Sequence, residues 1–186
     1  MRQRLLFVVL VALLSGACSK QQERDDCGPS ERVVDPVLLA FLSQARSAHH
    51  MADQREAEGD TAAALRALQG LINAPKPAQG APEIGEVLAD TQARIADLSS
   101  RAGRFDQADR AIEEGLSNAK QPTYFRGHLF EVRGLVEERR EKALRGSGRG
   151  LEADQARDRS LSAYEEAMKI QAEVILKASP AGSAPR

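Results

Sequence analysis

The stretch Gly103-Arg104-Phe105-Asp106-Gln107-Ala108-Asp109-Arg110-Ala111-Ile112-Glu113-Glu114-Gly115-Leu116 sets the fold. Ala108, Ile112 and Leu116 recur every fourth residue, a spacing that lines them up on one face of a helix. Gly103 ends whatever precedes it, and Phe105 opens the new helix. A small residue at 108 lets a neighbouring helix come close, while Ile112 and Leu116 fill space beyond it. Upstream, Val87, Leu88, Ile95 and Leu98 form a second apolar stripe, so a helix from about Glu83 runs into the glycine. The two therefore read as an antiparallel helix pair with a tight join.

Outward from this pair the same grammar repeats. Asp35-Pro36 is an N-cap followed by proline at the first helical position, and Leu38, Phe41, Leu42, Ala45 and Ala52 follow at helical spacing. Gly59-Asp60 breaks that helix. A second, from about Thr61 to Asn73, buries Ala64, Leu65, Leu68, Leu71 and Ile72. Pro75, Pro77, Gly80 and Pro82 then make a loop. The fourth helix runs from Phe105 to about Ala119, and Gln121-Pro122-Thr123 starts a fifth with Phe125, Leu129, Val132 and Val136 in register. Its far end, Glu137 to Arg145, is almost wholly charged and is expected to project into water. Gly146-Ser147-Gly148-Arg149-Gly150 reads as a flexible break. A sixth helix, about Glu152 to Ala178, is expected to pack through Leu161, Tyr164, Met168, Ala172 and Ile175. The fold class is all-α, with about six helices over residues 36–178, a tether over 18–35 and a disordered tail over 179–186.

The Gly103–Leu116 stretch resembles the second half of a tetratricopeptide repeat. That family has Gly at the inter-helix turn, an aromatic two residues on, a small residue five on, then alternating large and small apolar positions. Gly59, Ala64, Leu68 and Ile72 fit the frame, with Thr61 in place of the aromatic. Ser160, Tyr164, Ala167 and Met168 fit it again, with Phe130 and Gly134 in the preceding helix. The resemblance implies antiparallel pairs stacked as a short, irregular solenoid, in which neighbours bury what one pair cannot. Gly59 and Gly103 are 44 residues apart, where the family repeats every 34, because the proline loop intervenes.

The amino terminus carries a different signal. Met1-Arg2-Gln3-Arg4 is basic, and Leu5 to Leu14 is an apolar run too short to span a membrane. Leu13-Leu14-Ser15-Gly16-Ala17-Cys18-Ser19 then leads through small residues into a cysteine. This resembles a bacterial lipoprotein signal, residues 1–17, which implies covalent lipid on Cys18 as the anchor and no other cofactor. Ser19, rather than Asp, implies sorting to the outer membrane, with the body facing the periplasm. An ordinary secretory signal cut after Ala17, or an uncleaved anchor, is the competing reading.

Charge and cysteines narrow the function. The formal charge of −1, more acidic once Arg2 and Arg4 leave with the signal, argues against nucleic acid, which draws a basic face. With Cys18 lipidated, Cys27 is the remaining thiol. Asp25 and Asp26 beside it raise a thiol pKa, which disfavours catalysis and leaves Cys27 as an incidental thiol or an occasional dimer crosslink.

No constellation of residues points to catalysis. His49-His50 with Asp53 comes nearest to a metal site, but adjacent helical residues diverge by about 100°, leaving His49 and Asp53 as two ligands without a third. A packed, hydrogen-bonded His49 is the simpler reading. Tetratricopeptide solenoids line a concave groove with the first helix of each pair. Carried through Gly59, Gly103 and Gly134, that frame selects His49, Asp53 and Glu56, then Asp90, Asp97 and Arg101, then His128, Glu131 and Glu138. The resulting expectation is a non-enzymatic, lipid-anchored adaptor for another envelope protein, pilotin-like or assembly-factor-like by analogy of fold. A small-ligand or peptidoglycan module in the same groove is the alternative.

Overall fold

The computed structural model describes residues 35–78 and 80–179; the signal, Cys18, Cys27, most of the tether and the end of the tail lie outside them. The described residues form six helices: α1 (Pro36–Ala57), α2 (Thr61–Asn73), α3 (Pro82–Arg101), α4 (Phe105–Asn118), α5 (Tyr124–Gly146) and α6 (Gly150–Ala178). They pack largely as sequential antiparallel pairs, α1 with α2, α3 with α4 and α5 with α6. α3 is the central helix, touching α1, α2, α4 and α5.

Local chemistry sets the helix ends. Asp35 Oδ1 accepts from the Val37 amide at 2.8 Å, Asp60 Oδ1 from the Ala63 amide at 2.8 Å, and Thr123 Oγ1 from the Arg126 amide at 3.3 Å. Each satisfies an amide that the helix itself cannot reach. The three hairpin turns are alike. Gly59, Gly103 and Gly148 have φ of +81°, +73° and +78°, the left-handed region that glycine enters without a Cβ penalty. Around each, the following residue donates five residues back: Asp60 to Arg55, Arg104 to Ser99, and Arg149 to Leu144, at 2.8 to 3.0 Å. The glycine itself donates to the carbonyl three residues back in each case. This is the Schellman motif, made three times.

That result corrects the reading of the third pair. The segment from Gly146 to Gly150 is no flexible break: α5 ends at Gly146, α6 begins at Gly150, and an ordered turn centred on Gly148 joins them. The turn glycine of this pair is Gly148, whereas Gly134, from which its groove positions were counted, lies within α5; the turns fall 44 and 45 residues apart. Five residues after each turn glycine stands an alanine, Ala64, Ala108 or Ala153, and all three are fully buried. Gly134 has another use. A Cβ there would lie 2.6 Å from the Tyr164 ring, so the absent side chain is the seat for that ring.

A core of Ala64, Leu65, Leu68, Ile95, Leu98, Ile112, Leu129, Val132 and Val136 joins α2, α3, α4 and α5 and takes in Ala52 of α1. A second cluster of Phe41, Ala45, Ala48, Leu71, Ile84 and Leu88 ties the amino-terminal part of α1 to α2 and α3. The stripes expected for α1 to α5 are those that turn inward. α6 departs from expectation. Its buried residues are Ala153, Ala156, Ser160, Ala163, Ala167 and Ile170, set alternately three and four apart, whereas Leu161, Met168 and Ile175 are 55%, 63% and 65% exposed. Small side chains let α6 settle closely on α5, where the Ser160 hydroxyl donates to the Gly134 carbonyl at 3.0 Å. The charged end of α5 also departs: Glu137 is buried, held by Arg159 at 2.9 Å and flanked by Arg140.

Candidate interaction groove

The first helices of the three pairs, α1, α3 and α5, flank a groove of about 420 Å³. Ala93, Val132 and Leu135 give it an apolar floor, and His49, Asp90, Arg94, Asp97, Arg101, His128 and Arg139 supply its polar walls. Five of the nine residues expected from the sequence, His49, Asp90, Asp97, Arg101 and His128, thus come together. Asp53 and Glu56 stand at its edge in ion pairs. Glu131 is turned to His128 at 3.3 Å. Glu138 lies apart, beside the Tyr164 hydroxyl, whose pKa burial and that carboxylate push up to about 12.

The charges form a ladder across the three helices. Arg94 reaches from α3 to Asp53 at 2.6 Å and Glu56 at 2.8 Å on α1. Arg101 pairs with both Glu56 and Asp97. Asp97 in turn receives Arg139 of α5 at 2.9 Å, while Arg139 also donates to the Ser100 hydroxyl at 2.6 Å. Such a half-exposed network fixes side-chain geometry more than it adds stability. Asp90, on the wall, makes no ion pair among the described residues.

His49 behaves as a packed histidine. Thr91 Oγ1 donates to the Val87 carbonyl at 2.7 Å and so accepts from His49 Nε2–H at 3.0 Å. Burial lowers the His49 pKa below its ordinary value, against the pull of Asp90. Asp53, the other half of the suspected ligand pair, is turned to Arg94.

Arg94 and Arg139 were missed from the sequence. Both stand nine residues before their turn glycine, Gly103 and Gly148, so the true turn of the third pair puts them in one register. The frame through Gly134 hid this. A larger cleft of about 840 Å³ lies between α4, α5 and α6. Its walls are crossed by the pairs Arg133–Glu113 and Arg159–Glu137, and Arg133 and Arg126 lie over the Phe130 ring at 5.4 and 5.5 Å.

Fold and groove together define an all-helical domain of six helices with a charged trough along its first-helix face. Comparison of the chain with protein-family models, with curated proteins and with solved structures finds no match.

Proposed function

We propose that this chain is a lipid-anchored scaffold of tetratricopeptide-like build, facing the periplasm from the outer membrane, which binds a segment of another envelope protein without catalysing a reaction. One observation carries the reading. Three hairpins with the same glycine turn bring their first helices to a common groove, whose walls offer donors and acceptors at fixed positions. The walls are charged and open to solvent, which suits an extended protein segment better than an enclosed apolar ligand. Asp90, which makes no ion pair among the described residues, suits a basic side chain of such a segment. The anchor rests on the Cys18 signal, since two or three acyl chains hold a protein where one does so only marginally.

Two experiments test it. A photo-crosslinking residue at Asp90 or His128, in Gram-negative cells making the protein, is expected to give a discrete adduct with an envelope protein. The same residue at Arg110, exposed on α4, should give none. Equal or absent adducts at all three positions would remove the groove from the proposal. Separately, Cys18→Ser should shift the protein from the membrane to the soluble periplasmic fraction; continued membrane association would show that the anchor is not on Cys18.

A further inference from the structure

The outer face of α6 points to self-association. Its inner face is made of small residues against α5, and its large apolar residues are turned away. Leu161, Met168 and Ile175 stand seven apart, each more than half exposed, with Ala172 on the same face. Repeats of seven form the seam along which two helices pack. The register of the hairpins sharpens this. Thirteen residues after their turn glycines, Ile72 and Leu116 pack against the core; Leu161, thirteen after Gly148, is left open. A terminal helix of a free-standing stack carries a polar outer face. The other terminal helix has no such row: α1 exposes Val37, Leu39 and Met51, but Gln44 stands between Val37 and Met51 at the spacing of seven.

We infer that this face of α6 is the interface of a two-fold dimer, two α6 helices running antiparallel about Met168. The occupant follows from the charges. With the axis at Met168, Leu161 of one copy meets Ile175 of the other. Glu165 and Lys169 lie toward one flank of the seam, and the two-fold brings Lys169 of one copy within a helical turn of Glu165 of the other. Arg157, near the start of the seam, comes to the carboxyl end of the other α6, where the helix dipole favours a cation. A parallel pair instead brings like residues level and loses these matches. The two-fold contact closes on itself, so a dimer forms rather than a filament. It involves neither the groove nor the anchor, and so stands or falls independently of them.

The test uses the full chain, with Cys27→Ser as background, in membranes or mild detergent under mild oxidation. Met168→Cys is expected to give a disulfide-linked dimer at twice the monomer mass. Leu161→Cys and Ile175→Cys should each give little alone and crosslink when the two chains are mixed. Arg110→Cys on α4 measures chance collision. Met168→Glu, at an exposed position, should leave the helical spectrum unchanged and lower the dimer fraction at least tenfold. Crosslinking at Met168 no stronger than at Arg110, or 161–161 and 175–175 bonds within single variants, would overturn the antiparallel dimer. So would a dimer that survives Met168→Glu.

Discussion

Ala108→Glu is expected to abolish cooperative folding of the six-helix body. Ala108 is fully buried on α4, five residues after the turn glycine, within the cluster that holds Ala64, Leu68, Ile95 and Ile112. A carboxylate there would replace a methyl in an apolar cluster shut off from solvent. Burying an unpaired charge costs several kcal/mol even after relaxation, and the added side-chain volume costs about 1–3 kcal/mol more. Together these approach the roughly 5–15 kcal/mol that holds a domain together. Ala108→Ser is the control, since a hydroxyl can return its hydrogen bond to the preceding turn of its own helix. Thermal melts followed by circular dichroism should show a transition for the serine variant and none for the glutamate variant. A near-wild-type melt for Ala108→Glu would mean that this face of α4 does not turn inward.

The second large effect joins α4 to α5 through one contact. Leu129 is fully buried, and Gly115 lies against it: a Cβ at 115 would stand 2.5 Å from Leu129 Cδ2 and 3.2 Å from Gln92 Cβ. Leu129→Ala opens a cavity and should cost about 2–5 kcal/mol. Gly115→Ala gains about 1 kcal/mol of helix propensity, but the methyl collides with the fully buried Leu129 and crowds Gln92, and the overpacking of about 1–3 kcal/mol is expected to outweigh that gain. In the double variant the alanine methyl enters room vacated by the leucine. The combined loss should therefore fall short of the sum by about 0.5–3 kcal/mol. Urea unfolding of the four proteins measures this. Strict additivity would show that the two positions do not share a packing contact.

These two sites also show where sequence and structure part. Ala108 was legible because Ile112 and Leu116 extend its stripe and nothing else on that helix competes. Gly115 was not, because a glycine within a helical pattern carries no sign of which neighbour uses its vacancy. The groove divides the same way. His49, Asp90, Asp97 and Arg101 came from counting back from Gly59 and Gly103, the turns of their own pairs, and His128 from Gly134 in its own helix. Arg139 was lost because the third pair was counted from Gly134, within α5, rather than from its turn at Gly148.

The sequence by itself determined that the described residues form six helices and where most of these end. Caps and turns are local: Asp35 bonds two residues on, Asp60 three, and a glycine at positive φ needs only the five residues before it. It also determined the buried faces of α1 to α5, where one apolar stripe dominates. Tertiary structure alone decided α6, which carries two stripes of helical period, one of small residues and one of large. Periodicity cannot rank them. The surface of α5 does, because its backbone at Gly134 admits close approach and seats the Tyr164 ring, so the alanine stripe turns inward and Leu161, Met168 and Ile175 turn out.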